Sequence, residues 1–130
     1  NGVKEVGITN RTRSKAQIIS EDLGAKVSVV DWRAAPETIG RADLIINATS
    51  MGMIGQPEFS QPISRAKKTA LVIDIVYNPL ITELLKEATK LKLKTVSGIG
   101  MLINQAVPGF EHWFQKLPVI DDEIRQFIVE

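Results

Sequence analysis

Arg11, Arg13 and Lys15 crowd into one short stretch, ITNRTRSKA (8–16), and no acid accompanies them. An Arg in such a turn can grip a phosphate with its planar fork and lay its face on an adenine ring. Thr12 and Ser14 add hydroxyls. A solvated turn, with Asn or Thr capping a helix, accounts for the same residues equally well. Three further stretches gather polar groups. In NATSMGM (47–53), Thr49, Ser50 and Gly52 would let a ligand approach the backbone, although capping and turn closure by the same residues is the plainer reading. In DIVYNP (74–79), Asp74 interrupts an apolar run, where an unpaired carboxylate is costly. It is either a functional acid or, more commonly, an acceptor that holds the next loop. Tyr77 is either a core ring with a wet tip or a donor to a ligand. In GIGMLINQ (98–105), two glycines allow a flat ring to come close. Met101 and Gln105 are about one helical turn apart, and a buried Gln105 would need a protein or ligand partner. For Met53 and Met101 a core role is the safer reading. His112, Trp113 and Phe114 read as structural, the aromatics continuing an apolar face.

The elements that must carry these groups alternate along the chain. Strand-like runs fall at 3–9, 26–30, 44–48, 71–76 and 94–97. Helical spacing appears at 14–23, with Ala16, Ile19 and Leu23 on one face and Gly24 as the cap. A helical turn is expected at 36–39. A second helix at 82–91 aligns Ile81, Leu84, Leu85, Ala88 and Leu91. A third, at 101–114, is predicted to be interrupted at Pro108-Gly109. A last helix is capped by Asp121 and carries an apolar stripe of Ile124, Phe127 and Ile128. Continuous apolar strands separated by helices predict an α/β fold, Rossmann-like, with a mostly parallel sheet and helices on both faces. Ligands in such sheets bind beyond the carboxyl ends of the strands, which is where all four polar stretches fall.

Composition narrows the function. The chain has 130 residues, enough for one domain, and a net charge of +1. That balance argues against a general nucleic-acid or membrane surface. Cysteine is lacking and there is a single His, so disulfides and thiolate metal sites are excluded and a His-based metal site is disfavoured. With no signal peptide, transit peptide or long apolar run, a soluble cytoplasmic protein is expected. The fold normally opens with a strand, a glycine-rich turn and a helix. Here Asn1-Gly2 reads as the cap of a helix that is not in the chain. The sheet is therefore expected to be incomplete at the N-terminus, lacking its first βα unit.

The fold rule places the basic turn beside the adenosine ribose of a dinucleotide. An acid there suits the ribose 2′-OH of NAD, whereas a 2′-phosphate is repelled by an acid and favours Arg. The lack of an acid points to NADP.

Taken together, the strings ITNRT, DLIINATSMGM, DIVYNPLITELL and GIGMLINQAVPGFEHW resemble the cofactor-binding half of the shikimate dehydrogenase family, in order and spacing over nearly the whole chain. The resemblance implies that Asn10, Arg11, Thr12 and Lys15 hold the adenine and 2′-phosphate of NADP. Many members have Arg in place of Lys15. It implies that Thr49 and Ser50 line the cofactor's path, and that Ile75, Gly98 and Met101 lie at the nicotinamide end. Tyr77 and Gln105 match contacts to shikimate or 3-dehydroshikimate. The family's reaction is hydride transfer between NADPH and 3-dehydroshikimate. Its Lys and Asp proton-transfer pair belongs to a separate N-terminal domain, so the resemblance implies no catalytic residue in this chain. The 130 residues are expected to form one NADP-binding domain, with the last helix, about 121–129, packed on that N-terminal domain. A quinate/shikimate enzyme of broader specificity and a non-catalytic NADP-binding module are the alternatives, and a homodimer is left open. The isolated 130-residue chain is expected to be inactive, and unstable or prone to aggregate, because its sheet would be split into two parts with open inner edges.

Overall fold

The computed structural model describes residues 2–129, so the Asn1 half of the expected helix cap lies outside the described residues. The chain divides into two compact units, residues up to Asp43 with Gln61–Lys67, and Leu44–Ser60 with Lys68 onward.

The first unit contains β1 (Val6–Ile8), α1 (Arg13–Leu23), β2 (Val27–Val29) and α2 (Ala35–Ile39). β1 and β2 pair in parallel, Val6 opposite Val27 and Ile8 opposite Val29. β1 is shorter than its apolar run because its partner offers only this brief ladder. α1 starts after Thr12, and Gly24 closes it by donating its N–H to the Ser20 carbonyl at 3.0 Å. Of the expected stripe only Ala16 is buried; Ile19 and Leu23 are exposed. Ala35 and Ile63 are this unit's other buried apolar residues.

The second unit contains β3 (Leu44–Asn47), β4 (Leu71–Asp74), α3 (Glu83–Lys90), β5 (Lys94–Val96), α4 (Ile99–Phe114) and α5 (Asp122–Val129). Its parallel sheet has the order β3-β4-β5. One row of side chains, Ile45 and Asn47 on β3 with Val72 and Asp74 on β4, is buried. The other row of β3, Leu44 and Ile46, is about half exposed, although a continuous apolar strand predicts burial on both sides. Of the face expected from their spacing α3 buries Leu84, Leu85 and Ala88, whereas Leu91 is half-buried and Ile81, before the helix begins, is exposed. Thr82 caps it by accepting the Leu85 N–H. On its exposed side, Glu83 is held below the usual carboxylate range by its hydrogen bond to Lys86 and that ammonium's charge.

The strands thus form two parallel sheets among the described residues, the split expected of an incomplete Rossmann-like fold. α4 is not divided at Pro108-Gly109. Proline removes one backbone donor, and the helix survives that single loss. Nor do its aromatics continue a buried face. Phe110 and Phe114 meet with ring centroids 4.6 Å apart, but Trp113 is 77% exposed. Asp121 caps α5 as expected, its Oδ1 accepting the Ile124 N–H at 2.9 Å, while Phe127 in the apolar stripe is 80% exposed. No helix among the described residues is long and apolar enough to cross a membrane.

Candidate functional site

The turn after β1 gathers groups whose chemistry suits an anion. Asn10 turns its Oδ1 back to accept the Thr12 N–H at 2.8 Å, which shapes the chain before α1 begins. Thr12 occupies the cap position, yet its side chain makes no capping bond, and the first turn of α1 contains no acid. The Thr12 N–H is taken by Asn10 and the Lys15 N–H by the Thr12 carbonyl, which leaves the Arg13 and Ser14 N–H groups without an acceptor among the described residues and open to an anion. Arg13 is taken: it pairs with Asp31 after β2 at 3.4 Å, an exposed contact of small energetic weight. Arg11 and Lys15 are exposed and make no ion pair among the described residues. Just before them, the Thr9 hydroxyl oxygen is buried without a partner among the described residues. Free cations, open N–H groups and an unmatched hydroxyl fit a phosphorylated ligand, and no carboxylate in the turn opposes it.

In the second unit the polar loops are organised by a buried network. Asn47 and Asp74 end β3 and β4 as register partners. Asp74, 0% exposed, accepts three hydrogen bonds: Oδ1 from Asn47 Nδ2 at 3.0 Å and from the Val76 N–H at 3.0 Å, Oδ2 from Thr82 Oγ1 at 2.6 Å. This is why β4 stops short of the expected Val76: the Val76 N–H turns to the Asp74 carboxylate. Asn47 Nδ2 also donates to the Met51 carbonyl at 2.9 Å. Its Oδ1 accepts from the Thr49 N–H at 3.1 Å and the Thr49 hydroxyl at 2.7 Å. The Thr49 oxygen in turn accepts the Met51 N–H at 3.1 Å. Asp74 therefore holds loops together and is not a free acid. Asn47 and Thr82 escaped the sequence reading. The available signal was an Asn and an Asp ending two apolar strands, with a Thr just before a helix.

Gly52 has φ +90° and donates its N–H to the Pro57 carbonyl at 2.8 Å, so it closes a turn. Gly98 is buried, and its lack of a side chain has a structural reason of its own. The side where a Cβ would stand faces the backbone of Ile75 and Val76. Gly98 thus lets the start of α4 lie against the exit of β4.

The remaining candidates fall into two groups. Asn10, Arg11, Thr12 and Lys15 sit together in the first unit. In the second, the network gathers Thr49 with the β4 exit that carries Ile75 and Tyr77, and Gly98 abuts Ile75. Ser50 is exposed, Ile75 is half-buried, and Tyr77 is 42% exposed. Met101 and Gln105 follow at i and i+4 on α4, both exposed. Exposure of Gln105 removes the burial argument for a partner. Exposure of Met101 likewise departs from its core reading.

Parallel strands joined by helices, with polar loops at the strands' carboxyl ends, define a Rossmann-like protein. The chain belongs to the shikimate/quinate 5-dehydrogenase family, whose model matches residues 1–101. It is 46% identical over 129 residues to the shikimate dehydrogenase (NADP(+)) of Jannaschia sp. (strain CCS1), covering 99% of this chain and 46% of that protein. The chain thus spans about half the length of the curated relatives it matches. Its fold matches that of quinate dehydrogenase from Corynebacterium glutamicum in complex with NAD, with TM-score 0.87 and 32% identity, over 98% of this chain and 47% of that one. It also matches shikimate 5-dehydrogenase from Thermus thermophilus in complex with NADP(H) and shikimate, with TM-score 0.74 and 31% identity, over 91% of this chain and 42% of that one.

Proposed function

We propose that the complete protein reduces 3-dehydroshikimate to shikimate with NADPH, and that this chain is its cofactor-binding domain. The observation that carries the reading is the turn after β1, where Arg11 and Lys15 make no ion pair among the described residues, no acid is present, and the Arg13 and Ser14 N–H groups at the start of α1 are open. Arg11 binds the 2′-phosphate and stacks on adenine, Lys15 adds charge, and Asn10 and Thr12 fix the turn. Thr49 and Ser50 line the cofactor's path, with Ile75, Gly98 and Met101 at its nicotinamide end. Tyr77 and Gln105 contact the substrate, the carboxamide of Gln105 both donating to and accepting from ring hydroxyls. Bound NADPH supplies the hydride; these residues bind and orient. The resemblance assigns the proton donor to a Lys and Asp pair of a separate N-terminal domain, and Asp74, whose carboxylate is engaged by three hydrogen bonds, is not given that role. α5 packs against the domain that carries it.

A broader quinate-using enzyme is the second reading, favoured by the fold match to the NAD-bound quinate dehydrogenase. Steady-state assays of the complete protein, following NADPH absorbance, separate the two. Turnover of 3-dehydroshikimate is expected, with NADPH preferred over NADH by at least about tenfold, the worth of a charge-assisted contact. Failure to oxidise NADPH with 3-dehydroshikimate would refute the proposal, and oxidation of quinate at comparable efficiency would select the second reading.

A further inference from the structure

The buried network does more than satisfy a carboxylate. Its bonds join two loops that leave neighbouring strands. Through Asn47 it fixes Thr49 and Met51, and through the Val76 N–H it fixes the segment bearing Ile75 and Tyr77. Thr82 anchors the far oxygen of Asp74 to the start of α3. All three side chains are buried, so none can itself reach a ligand. Each acceptor and donor is matched, which makes the geometry of one loop depend on the other. Among the described residues no buried network ties the basic turn after β1, which is held by the Asn10–Thr12 bond, the Lys15 N–H to the Thr12 carbonyl and the exposed Arg13–Asp31 pair.

Resting on the cofactor reading above, we infer that Asn47, Asp74 and Thr82 are positioning residues for the nicotinamide end of NADP, and leave its adenosine end unaffected. Asn47→Ala deprives the Thr49 N–H and hydroxyl, the Met51 carbonyl and Asp74 Oδ1 of a partner at once. Asp74→Asn is the gentler variant. Its remaining oxygen can keep accepting from Asn47 and Val76 while its amide donates to the Thr82 hydroxyl, so the geometry persists with weaker bonds.

The test is calorimetric titration of the complete protein with NADPH and with 2′-phospho-ADP-ribose, which lacks the nicotinamide. It is run where circular dichroism shows each variant folded. Asn47→Ala is expected to weaken NADPH about tenfold and Asp74→Asn about threefold, with 2′-phospho-ADP-ribose unchanged in both, as fits a residue acting through its neighbours. Should Asn47→Ala not fold, Asp74→Asn carries the same comparison. Equal weakening of both ligands, or no change in either, would overturn the inference while the cofactor reading stands. A parent protein that binds neither ligand would overturn both.

Discussion

Gly98→Ala is expected to destabilise the complete protein by at least about 3 kcal/mol, more than an ordinary overpacked core position costs. The backbone is not the reason. Gly98 has φ −68° and ψ −13°, a conformation open to any residue. The cost is steric. A methyl group there would overlap the Ile75 carbonyl oxygen, and would stand 2.5 Å from its carbon and 2.8 Å from the Val76 oxygen. These are main-chain atoms of the β4 exit, and Asp74 already pins that exit through the Val76 N–H. The start of α4 would have to move away, carrying Met101 and Gln105 with it. Urea unfolding measures the change, and a midpoint equal to that of the parent would show that the two segments do not meet as described.

Asp74→Ala is expected to cost a similar amount, about 3 kcal/mol, the usual scale for leaving several buried polar groups unmatched. The Val76 N–H and the Thr82 hydroxyl would lose their acceptor, and Asn47 Nδ2 would keep only the Met51 carbonyl. Asp74→Asn should cost much less, because it retains the shape and one acceptor. Denaturant midpoints of the two variants check this. Equal losses would mean that the carboxylate's hydrogen bonds are not what matters at this position.

These two positions also show what the sequence reveals. Both were visible as unusual residues, a Gly after a short strand and an Asp in an apolar run. Alternative roles for Asp74 could be stated from local chemistry, and the commoner one, holding the next loop, is what the structure displays. The partners could not be named. Asn47 meets Asp74 only because β3 and β4 pair in a register that places their last residues side by side. The reason for Gly98 lies in a close approach between segments more than a helix apart in the chain. The pairing of Arg13 with Asp31 likewise depends on β1 lying next to β2.

Element positions were legible because apolar runs and helical spacing are local properties. Boundaries moved where a side chain captured a backbone group, as at Val76. Periodicity names an apolar face without saying what covers it. Ala16, Leu84, Leu85 and Ala88 are buried as their spacing predicts, whereas Ile19, Leu23 and Phe127 are exposed despite theirs. The basic turn is legible as a candidate because its charges lie close together in sequence.

The most direct measurement is a titration of the complete protein with NADP and with NAD, repeated for Arg11→Ala. Loss of the charge-assisted phosphate contact together with the adenine stacking should weaken NADP by about tenfold to a hundredfold, while NAD, which loses the stacking alone, weakens by no more than about fivefold. Equal weakening of both cofactors would contradict a 2′-phosphate role for Arg11 and, with it, the assignment of the turn after β1.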